Sequence, residues 1–138
     1  MKGDQTNQSA GPVASATVKP TVILCIEDDP DSADLITAIL RHAAEADFVV
    51  APDGETGLEL ARERDPSLVI LDLGLPDISG EEVLAELRAA PETESIPVVI
   101  VTSKTTGDPS TLPPHDAYVT KPIEDIPAFM EIVRRSLA

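Results

Sequence analysis

The feature that most constrains the fold of this chain is a regular alternation of short apolar runs with segments of helical periodicity. The runs at 22–26 and 68–71 are continuously apolar, which is typical of strands covered on both faces. The segment between the first two runs carries Ile36, Ile39 and Leu40 at the spacing of one helical face. Strands joined by single helices form right-handed crossovers in a parallel sheet. The sequence therefore predicts an α/β fold.

Five strands and four helices follow from this pattern. We place the strands at 22–26, 48–51, 68–71, 97–101 and 117–119. The helices are expected to begin with Asp29 as N-cap before Pro30, at Asp53–Gly54, at a capping box from Ser79 to Glu82, and at Ile126 or Pro127. In the final helix, we expect the apolar face to consist of Ile126, Met130, Val133 and Leu137.

The alternation is interrupted once, between the fourth and fifth strands. Residues 103–114 contain one leucine, three prolines and one glycine, a composition that does not support an amphipathic helix longer than about one turn. We expect a loop, or a strongly reduced helix, at the place where the pattern calls for a full helix.

Composition limits the domain organisation and the classes of function. Residues 1–19 hold almost no large apolar side chains, so we expect a disordered tail followed by one domain over 20–138. The net charge of −15 argues against binding to nucleic-acid phosphates. The sequence has no apolar run of about 18 residues and one cysteine, Cys25, which we interpret as a small buried side chain. We expect a soluble, cytoplasmic protein that is not associated with a membrane.

Side chains that could take part in catalysis or metal binding follow the predicted strands at their carboxyl ends, where open α/β sheets bind ligands. Glu27 and Asp28 follow the first strand and Asp72 follows the third. Thr102 follows the fourth strand and Lys121 the fifth. If the first strand is central and flanked by the third, these residues converge.

Three carboxylates in one cleft require a positive partner, because two of them about 4 Å apart repel by about 4 kcal/mol at an effective dielectric near 20. Lys121 is one candidate, and a divalent ion bound through oxygen atoms is another. A site with few protein carboxylates and open water positions suits Mg²⁺ better than Ca²⁺. Asp72 would then be a candidate carboxylate nucleophile for a phosphoryl group, with Lys121 and Thr102 contacting its oxygens.

The sequence resembles the receiver domain of bacterial two-component response regulators, over roughly residues 20 to 138. The resemblance rests on four segments in order, residues 22–30, 68–80, 98–103 and 117–122. It implies a flavodoxin-like, doubly wound, five-stranded parallel sheet with strand order 2-1-3-4-5.

The resemblance also implies roles for individual residues. Asp72 would be the phospho-acceptor, and Mg²⁺ would be held by Asp28 directly, by Glu27 through water and by the carbonyl of Gly74, together with Asp72. Thr102 would be the switch hydroxyl, Tyr118 the aromatic switch and Lys121 the lysine that neutralises the phosphate, with a cis peptide bond before Pro122. Gly74 and Lys104 would lie where the family controls access of water to the phosphate.

The function implied is that of a receiver that catalyses its own phosphorylation by a histidine kinase or a histidine phosphotransfer protein. Because no segment follows Ala138, we expect it to stand alone and to act through a downstream protein. It would be a relay intermediate, an adaptor or a phosphate sink, and a monomer, because the face built around the missing helix is altered.

Two other classes of protein share parts of this pattern. A magnesium-dependent phosphatase of the haloacid dehalogenase type also forms an aspartyl phosphate, but it places its nucleophile after the first strand, where this chain has Glu27. A flavin carrier on the same fold needs a Ser/Thr/Gly-rich phosphate loop at that point, where this chain has carboxylates.

Overall fold

A computed structural model of the chain describes residues 20–104 and 108–138. The expected disordered tail over residues 1–19 lies outside the described residues. The described part forms one five-stranded sheet in which all paired neighbours are parallel, with the strand order β2-β1-β3-β4-β5. The predicted fold class and strand order are therefore confirmed.

Strands and helices alternate along the chain as the apolar pattern predicts. The strands are β1 (Val22–Ile26), β2 (Asp47–Ala51), β3 (Leu68–Leu71), β4 (Val98–Thr102) and β5 (Ala117–Thr120). The helices are α1 (Pro30–Ala43), α2 (Gly54–Arg64), α3 (Gly80–Ala89) and α4 (Ile126–Leu137). The observed strands differ from the predicted ones by one residue at some ends.

Each of the four helices begins after a side chain that accepts a hydrogen bond from the backbone amide three residues further on, which satisfies a donor that the helix leaves free. The capping residues are Asp29, Asp53, Ser79 and Asp125. The predicted capping box at α3 is present, with the Glu82 side chain accepting from the Ser79 amide at 3.2 Å. Asp29 is thus a helix cap, as predicted.

The three central strands are buried along their whole length, because helices cover both faces of the sheet. α2 and α3 pack on one face through Leu58, Ala61 and three residues of α3. α1 and α4 pack on the other face, with Ile36 and Leu40 among the buried contacts. This arrangement explains why β1, β3 and β4 read as continuous apolar runs.

The predicted apolar face of α4 is partly wrong. Val133 is fully buried, but Ile126 is 42% exposed, and Phe129, which the prediction omitted, is 2% exposed. Ile126 is the first residue of α4 and is not part of the buried cluster that this helix forms with the sheet. Phe129 lies one turn further on and supplies the largest buried side chain of this layer.

The segment between β4 and β5 contains only a short 3-10 helix, Pro109–Thr111, among its described residues, so the predicted reduction of this helix is confirmed. The guanidinium of Arg88, near the end of α3, donates to the carbonyl of Pro114 at 2.8 Å and to those of Glu94 and Ile96 at 2.9 and 2.8 Å. Arg88 therefore ties the substitute segment to α3, a role that the sequence analysis missed. Within the described residues, no helix is long and apolar enough to cross a membrane.

Gly80 marks a point at which backbone approaches backbone. A Cβ atom at this position would lie 2.5 Å from Cα of Leu73 and would also overlap the carbonyl oxygen of Asp72. The Gly80 amide donates to the Leu73 carbonyl at 3.0 Å. The missing side chain therefore lets α3 begin directly against the segment that carries Asp72.

We expect Gly80→Ala to lower the free energy of unfolding by about 1–3 kcal/mol, because backbone must move to admit the methyl group. Gly74→Ala is the matched control, since the only contact of a Cβ there is Asp72 Oδ1 at 4.0 Å. The control should change stability by less than about 0.5 kcal/mol. Urea denaturation of both variants makes the comparison, and equal stabilities for the two would contradict this account of Gly80.

Candidate functional site

The sheet brings residues from four distant segments to its carboxyl edge. β1 and β3 pair with Ile26 opposite Leu71, so the residues that follow these strands are neighbours. The Asp72 amide donates to the Ile26 carbonyl at 3.0 Å. Because β4 pairs with both β3 and β5, Thr102 and Lys121 reach the same edge. The predicted convergence is thus observed.

Glu27, Asp28 and Asp72 form a compact cluster of carboxyl groups. One oxygen atom from each lies within 4.8 Å of the others. Glu27 is 3% exposed and Asp72 is 7% exposed, whereas Asp28 is exposed to solvent. The repulsion between Glu27 and Asp72 is therefore weakly screened by solvent. Asp28 forms the solvent-exposed part of the cluster.

Lys121 is the cation that contacts both buried carboxyl groups. Its Nζ lies 2.7 Å from Glu27 Oε1 and 3.3 Å from Asp72 Oδ2. The ammonium also donates to Ser32 Oγ at 3.4 Å, a contact from α1 that the sequence analysis did not identify. The Lys121–Pro122 peptide bond is cis, as the resemblance implied.

Asp72 accepts two further hydrogen bonds on Oδ1, the carboxyl oxygen that Lys121 does not contact. Thr102 Oγ1 donates to Asp72 Oδ1 at 2.7 Å, and the Gly74 amide donates to the same oxygen at 3.1 Å. Both oxygens of this carboxyl group thus have defined partners. The arrangement favours the ionised form, which a nucleophile requires.

The two buried carboxyl groups differ in acidity. Burial raises the pKa of Glu27, and its hydrogen bonds with Lys121 and the Asp29 amide offset this only in part, while the nearby Asp72 raises it further. Burial also acts to raise the pKa of Asp72, but the hydrogen bonds from Thr102, Gly74 and Glu27, together with the charge of Lys121, outweigh it and lower the pKa. The site therefore favours the ionised form of Asp72 more strongly than that of Glu27.

The Lys121 ammonium responds to the same cluster. Burial acts to lower the pKa of Lys121, but the hydrogen bond and charge of Glu27 and the charge of Asp72 outweigh it, so the pKa is raised. Cys25, next to the cluster in β1, has its pKa raised to about 12, by burial first and by Glu27 second. The thiol is thus held in its neutral, unreactive form, consistent with its predicted structural role.

Tyr118 is placed beside the site rather than in it. Its hydroxyl donates to the backbone carbonyl of Lys104 at 3.1 Å, and its ring meets that of His115 edge to face at a centroid distance of 6.4 Å. The Lys104 amide in turn donates to Thr102 Oγ1 at 3.0 Å. Tyr118 therefore connects to Asp72 through two intervening residues.

Asp77 is a structural residue that the sequence analysis overlooked. Its carboxylate accepts from the amides of Gly54 and Glu55 at 2.8 and 2.9 Å, which joins the loop after β3 to the beginning of α2. Desolvation acts to raise the pKa of Asp77, but the hydrogen bonds from the Glu55 and Gly54 amides, together with those from the amides of Ile78 and Asp77, outweigh it and lower the pKa. In the sequence, Asp77 stands two residues before the capping box, and nothing in that local pattern indicates a contact with α2.

The model of the response regulator receiver domain family matches residues 23–134. The chain belongs to this family. Its members act in two-component signalling, so the buried carboxyl cluster lies in a domain whose general role is to accept a phosphoryl group.

Similar proteins of known name are response regulators. The chain is 34% identical over 113 residues to the probable transcriptional regulatory protein TcrX of Mycobacterium tuberculosis, covering 78% of this chain and 47% of TcrX. It is 31% identical to the polar-differentiation response regulator DivK of Brucella anthropi, covering 86% of this chain and 97% of DivK. The chain thus spans about half the length of TcrX and nearly all of DivK.

Among solved structures, the Mn²⁺-bound form of response regulator Rcp1 superposes with a TM-score of 0.69. The two chains are 28% identical, and the superposition covers 84% of this chain and 91% of the Rcp1 chain. The similarity therefore extends over nearly the whole described domain.

We expect Lys121→Met to lower the free energy of unfolding by about 2–3 kcal/mol at pH 7, because it leaves two buried carboxyl groups without their cation. The loss should shrink as the pH falls and vanish only below the lowered pKa that Asp72 has in the folded state, because both carboxyl groups must be protonated before the cation ceases to matter. In the wild type, the stability that Lys121 supplies is present below its ordinary pKa of about 10. This stability is lost as the pH rises through the raised pKa that Lys121 has in the folded state.

Lys104→Met is the matched control, because its ammonium pairs with Glu81 at 3.1 Å at a partly exposed position and with no other acidic group of the described residues. It should cost less than about 1 kcal/mol. Denaturation curves between pH 4 and pH 8 provide the measurement. A pH-independent loss for Lys121→Met would show that its charge does not offset the carboxyl cluster.

Proposed function

We propose that this receiver domain transfers a phosphoryl group from a phosphohistidine of a histidine kinase or histidine phosphotransfer protein to Asp72. The observation that supports this most is the environment of Asp72, whose carboxylate is 7% exposed and is contacted by the Thr102 hydroxyl and the Lys121 ammonium on different oxygens. A carboxylate held in this way is oriented and ionised before the phosphoryl group arrives.

The chemistry requires few participants. A carboxylate oxygen of Asp72 forms a bond to phosphorus while the bond from phosphorus to the imidazole nitrogen of the donor breaks, and the nitrogen keeps that electron pair. Lys121 offsets negative charge on the transferred phosphoryl oxygens, and the Thr102 hydroxyl donates a hydrogen bond to one of them. Later hydrolysis by water regenerates the carboxylate and releases inorganic phosphate.

The residues present fit a divalent cation. Three carboxyl groups offer oxygen atoms within 4.8 Å of one another, whereas the Lys121 ammonium contacts two of them, Glu27 and Asp72. One positive charge beside three ionisable carboxyl groups leaves room for a divalent cation. Asp28 and Asp72 would hold Mg²⁺ directly, with the Gly74 carbonyl as a further ligand and Glu27 acting through water. The ion would supply charge neutralisation for phosphoryl oxygens.

The donor and the downstream protein need access to this edge of the sheet. A groove of about 330 Å³ borders the site and is lined by residues of α1 and of the segment after β5, including Leu35, Lys121, Pro122 and Ile123. Leu35 is 55% exposed, so the groove offers an apolar side chain to a partner. We propose that the donor contacts this groove, and that the phosphorylated domain passes its signal to a target protein or its phosphate to another histidine.

The phosphatase alternative receives no support from the site. Its nucleophile would follow β1 at Glu27, yet that carboxyl group is paired with Lys121 at 2.7 Å and accepts from the Asp29 amide at 3.1 Å. The raised pKa of Glu27 also disfavours its ionised form. Asp72 is the better placed nucleophile.

We expect incubation with acetyl phosphate and Mg²⁺ to add one phosphoryl group to the wild-type chain, detected by intact-mass spectrometry. Asp72→Asn should add none, and chelation of Mg²⁺ should abolish the gain in the wild type. Asp34→Asn, which removes an exposed carboxyl group of α1 outside the cluster, is the matched control and should behave as the wild type. An unchanged mass gain in Asp72→Asn would refute the assignment of the acceptor.

Gly74 has no side chain that could shield the Asp72 carboxylate from water. A Cβ there approaches only Asp72 Oδ1, at 4.0 Å, so the fold accepts a larger side chain that shields the carboxylate. We expect Gly74→Met to slow hydrolysis of the phosphorylated domain by about threefold or more, which corresponds to about 0.7 kcal/mol in the barrier. Phosphate release measures this rate, with Gly74→Ala as the smaller control. Faster or unchanged release from Gly74→Met would contradict the idea that an open Gly74 admits water.

A further inference from the structure

The Lys121 ammonium has three N–H groups, and they have three different acceptors. Nζ lies 2.7 Å from Glu27 Oε1, 3.3 Å from Asp72 Oδ2 and 3.4 Å from Ser32 Oγ. Glu27 and Asp72 belong to the carboxyl cluster, whereas Ser32 lies in the first turn of α1. Among the described contacts of this ammonium, Ser32 is therefore the acceptor that comes from outside the cluster.

The Ser32 hydroxyl is oriented by Asp29, the residue that caps α1. Ser32 Oγ donates to Asp29 Oδ2 at 2.9 Å, and the Ser32 amide donates to the same oxygen at 3.3 Å. A hydroxyl has one proton to donate and two lone pairs that accept. Because the proton of Ser32 is directed to Asp29, the lone pairs of its oxygen are left for the Lys121 ammonium.

Both ends of this contact are fixed to the fold. In α1, Ala33 and Ile36 are buried, so the turn that carries Ser32 is held against the domain. At the other end, the Lys121 amide donates to the Thr102 carbonyl at 2.9 Å. A flexible four-carbon stem lies between the backbone of a lysine and its ammonium. Ser32 therefore restricts a group that the backbone contact alone would leave free to move.

We propose that Ser32 is a positioning residue, which holds the Lys121 ammonium where it meets a phosphoryl group arriving at Asp72. The inference rests on the proposed function of Asp72 and deepens it. When an oxygen of Asp72 bonds to phosphorus, the negative charge of the site lies on the phosphoryl oxygens. The ammonium must then exchange a carboxyl oxygen for one of these, and its contact with Ser32 limits how far it moves.

Placement of the ammonium matters because its charge acts on charge that develops during the transfer. A cation held in place beforehand needs less reorganisation than one on a mobile stem. Without the Ser32 hydroxyl, the ammonium loses an acceptor, and its shortest remaining contact is with Glu27 at 2.7 Å. We therefore expect loss of this hydroxyl to slow the transfer.

The test measures the initial rate at which acetyl phosphate, with saturating Mg²⁺, phosphorylates the full chain, followed by intact-mass spectrometry. Ser32 also lines the groove beside the site, and a donor as small as acetyl phosphate does not need that groove. We expect Ser32→Ala to lower the rate by about three- to tenfold. Ser32→Thr keeps a hydroxyl and should retain at least about half of the wild-type rate.

Ser136→Ala is the matched control, because it removes another half-buried hydroxyl of a helix. Ser136 donates to the Ile132 carbonyl of its own helix at 2.9 Å, so its loss should leave the rate unchanged. The half-saturating concentration of Mg²⁺ should change by less than about twofold in Ser32→Ala, because Asp28 and Asp72 keep their side chains. A general distortion of the site would move this concentration.

The outcomes separate this inference from the proposed function. If the wild type gains no phosphoryl group on Asp72, the proposed function fails and the role of Ser32 fails with it. If the wild type is phosphorylated and Ser32→Ala reacts at the same rate, the role of Ser32 alone is overturned. An equal loss in Ser32→Thr or Ser136→Ala, or a loss that higher Mg²⁺ restores, would also overturn it, because the hydroxyl on Lys121 would not then explain the effect.

Discussion

The confinement of three carboxyl groups beside one ammonium governs the rest of this structure. Glu27 and Asp72 are almost completely buried, and each would destabilise the other at short range in a medium of low polarity. Lys121 contacts both and keeps the arrangement compatible with folding. The remaining negative charge makes the edge receptive to a divalent cation and, with the Lys121 ammonium and the Thr102 hydroxyl, to a phosphoryl group. Stability and chemistry are therefore set by the same few contacts.

The parallel sheet is what makes such confinement possible. Because β1, β3, β4 and β5 all run in the same direction, every carboxyl end opens on one edge, and residues far apart in sequence become neighbours. The layers of helices hold the strands rigidly. The segment after β4 differs, since its described residues form only a short 3-10 helix and are tied to α3 through Arg88 and Lys104.

The fold and most of the site could be predicted from the sequence, because both depend on local patterns. Continuous apolar runs indicated β1 and β3, capping residues indicated the helix beginnings, and acidic residues after the strands indicated the cluster. Contacts between distant segments could not be predicted in this way. The interaction of Ser32 with Lys121 depends on how α1 lies over the sheet, and the exposure of Ile126 depends on where α4 first reaches the core. No local pattern encodes those distances.

We propose that the three carboxyl groups hold one divalent cation next to an acceptor carboxylate on Asp72. A crystal structure of the chain grown with Mg²⁺ and beryllofluoride would show whether they do. We expect beryllium bonded to an Asp72 oxygen, fluorine atoms near the Lys121 ammonium and the Thr102 hydroxyl, and Mg²⁺ bound by Asp28, Asp72 and the Gly74 carbonyl. A beryllofluoride group attached to another residue, or Mg²⁺ bound away from these carboxylates, would contradict it.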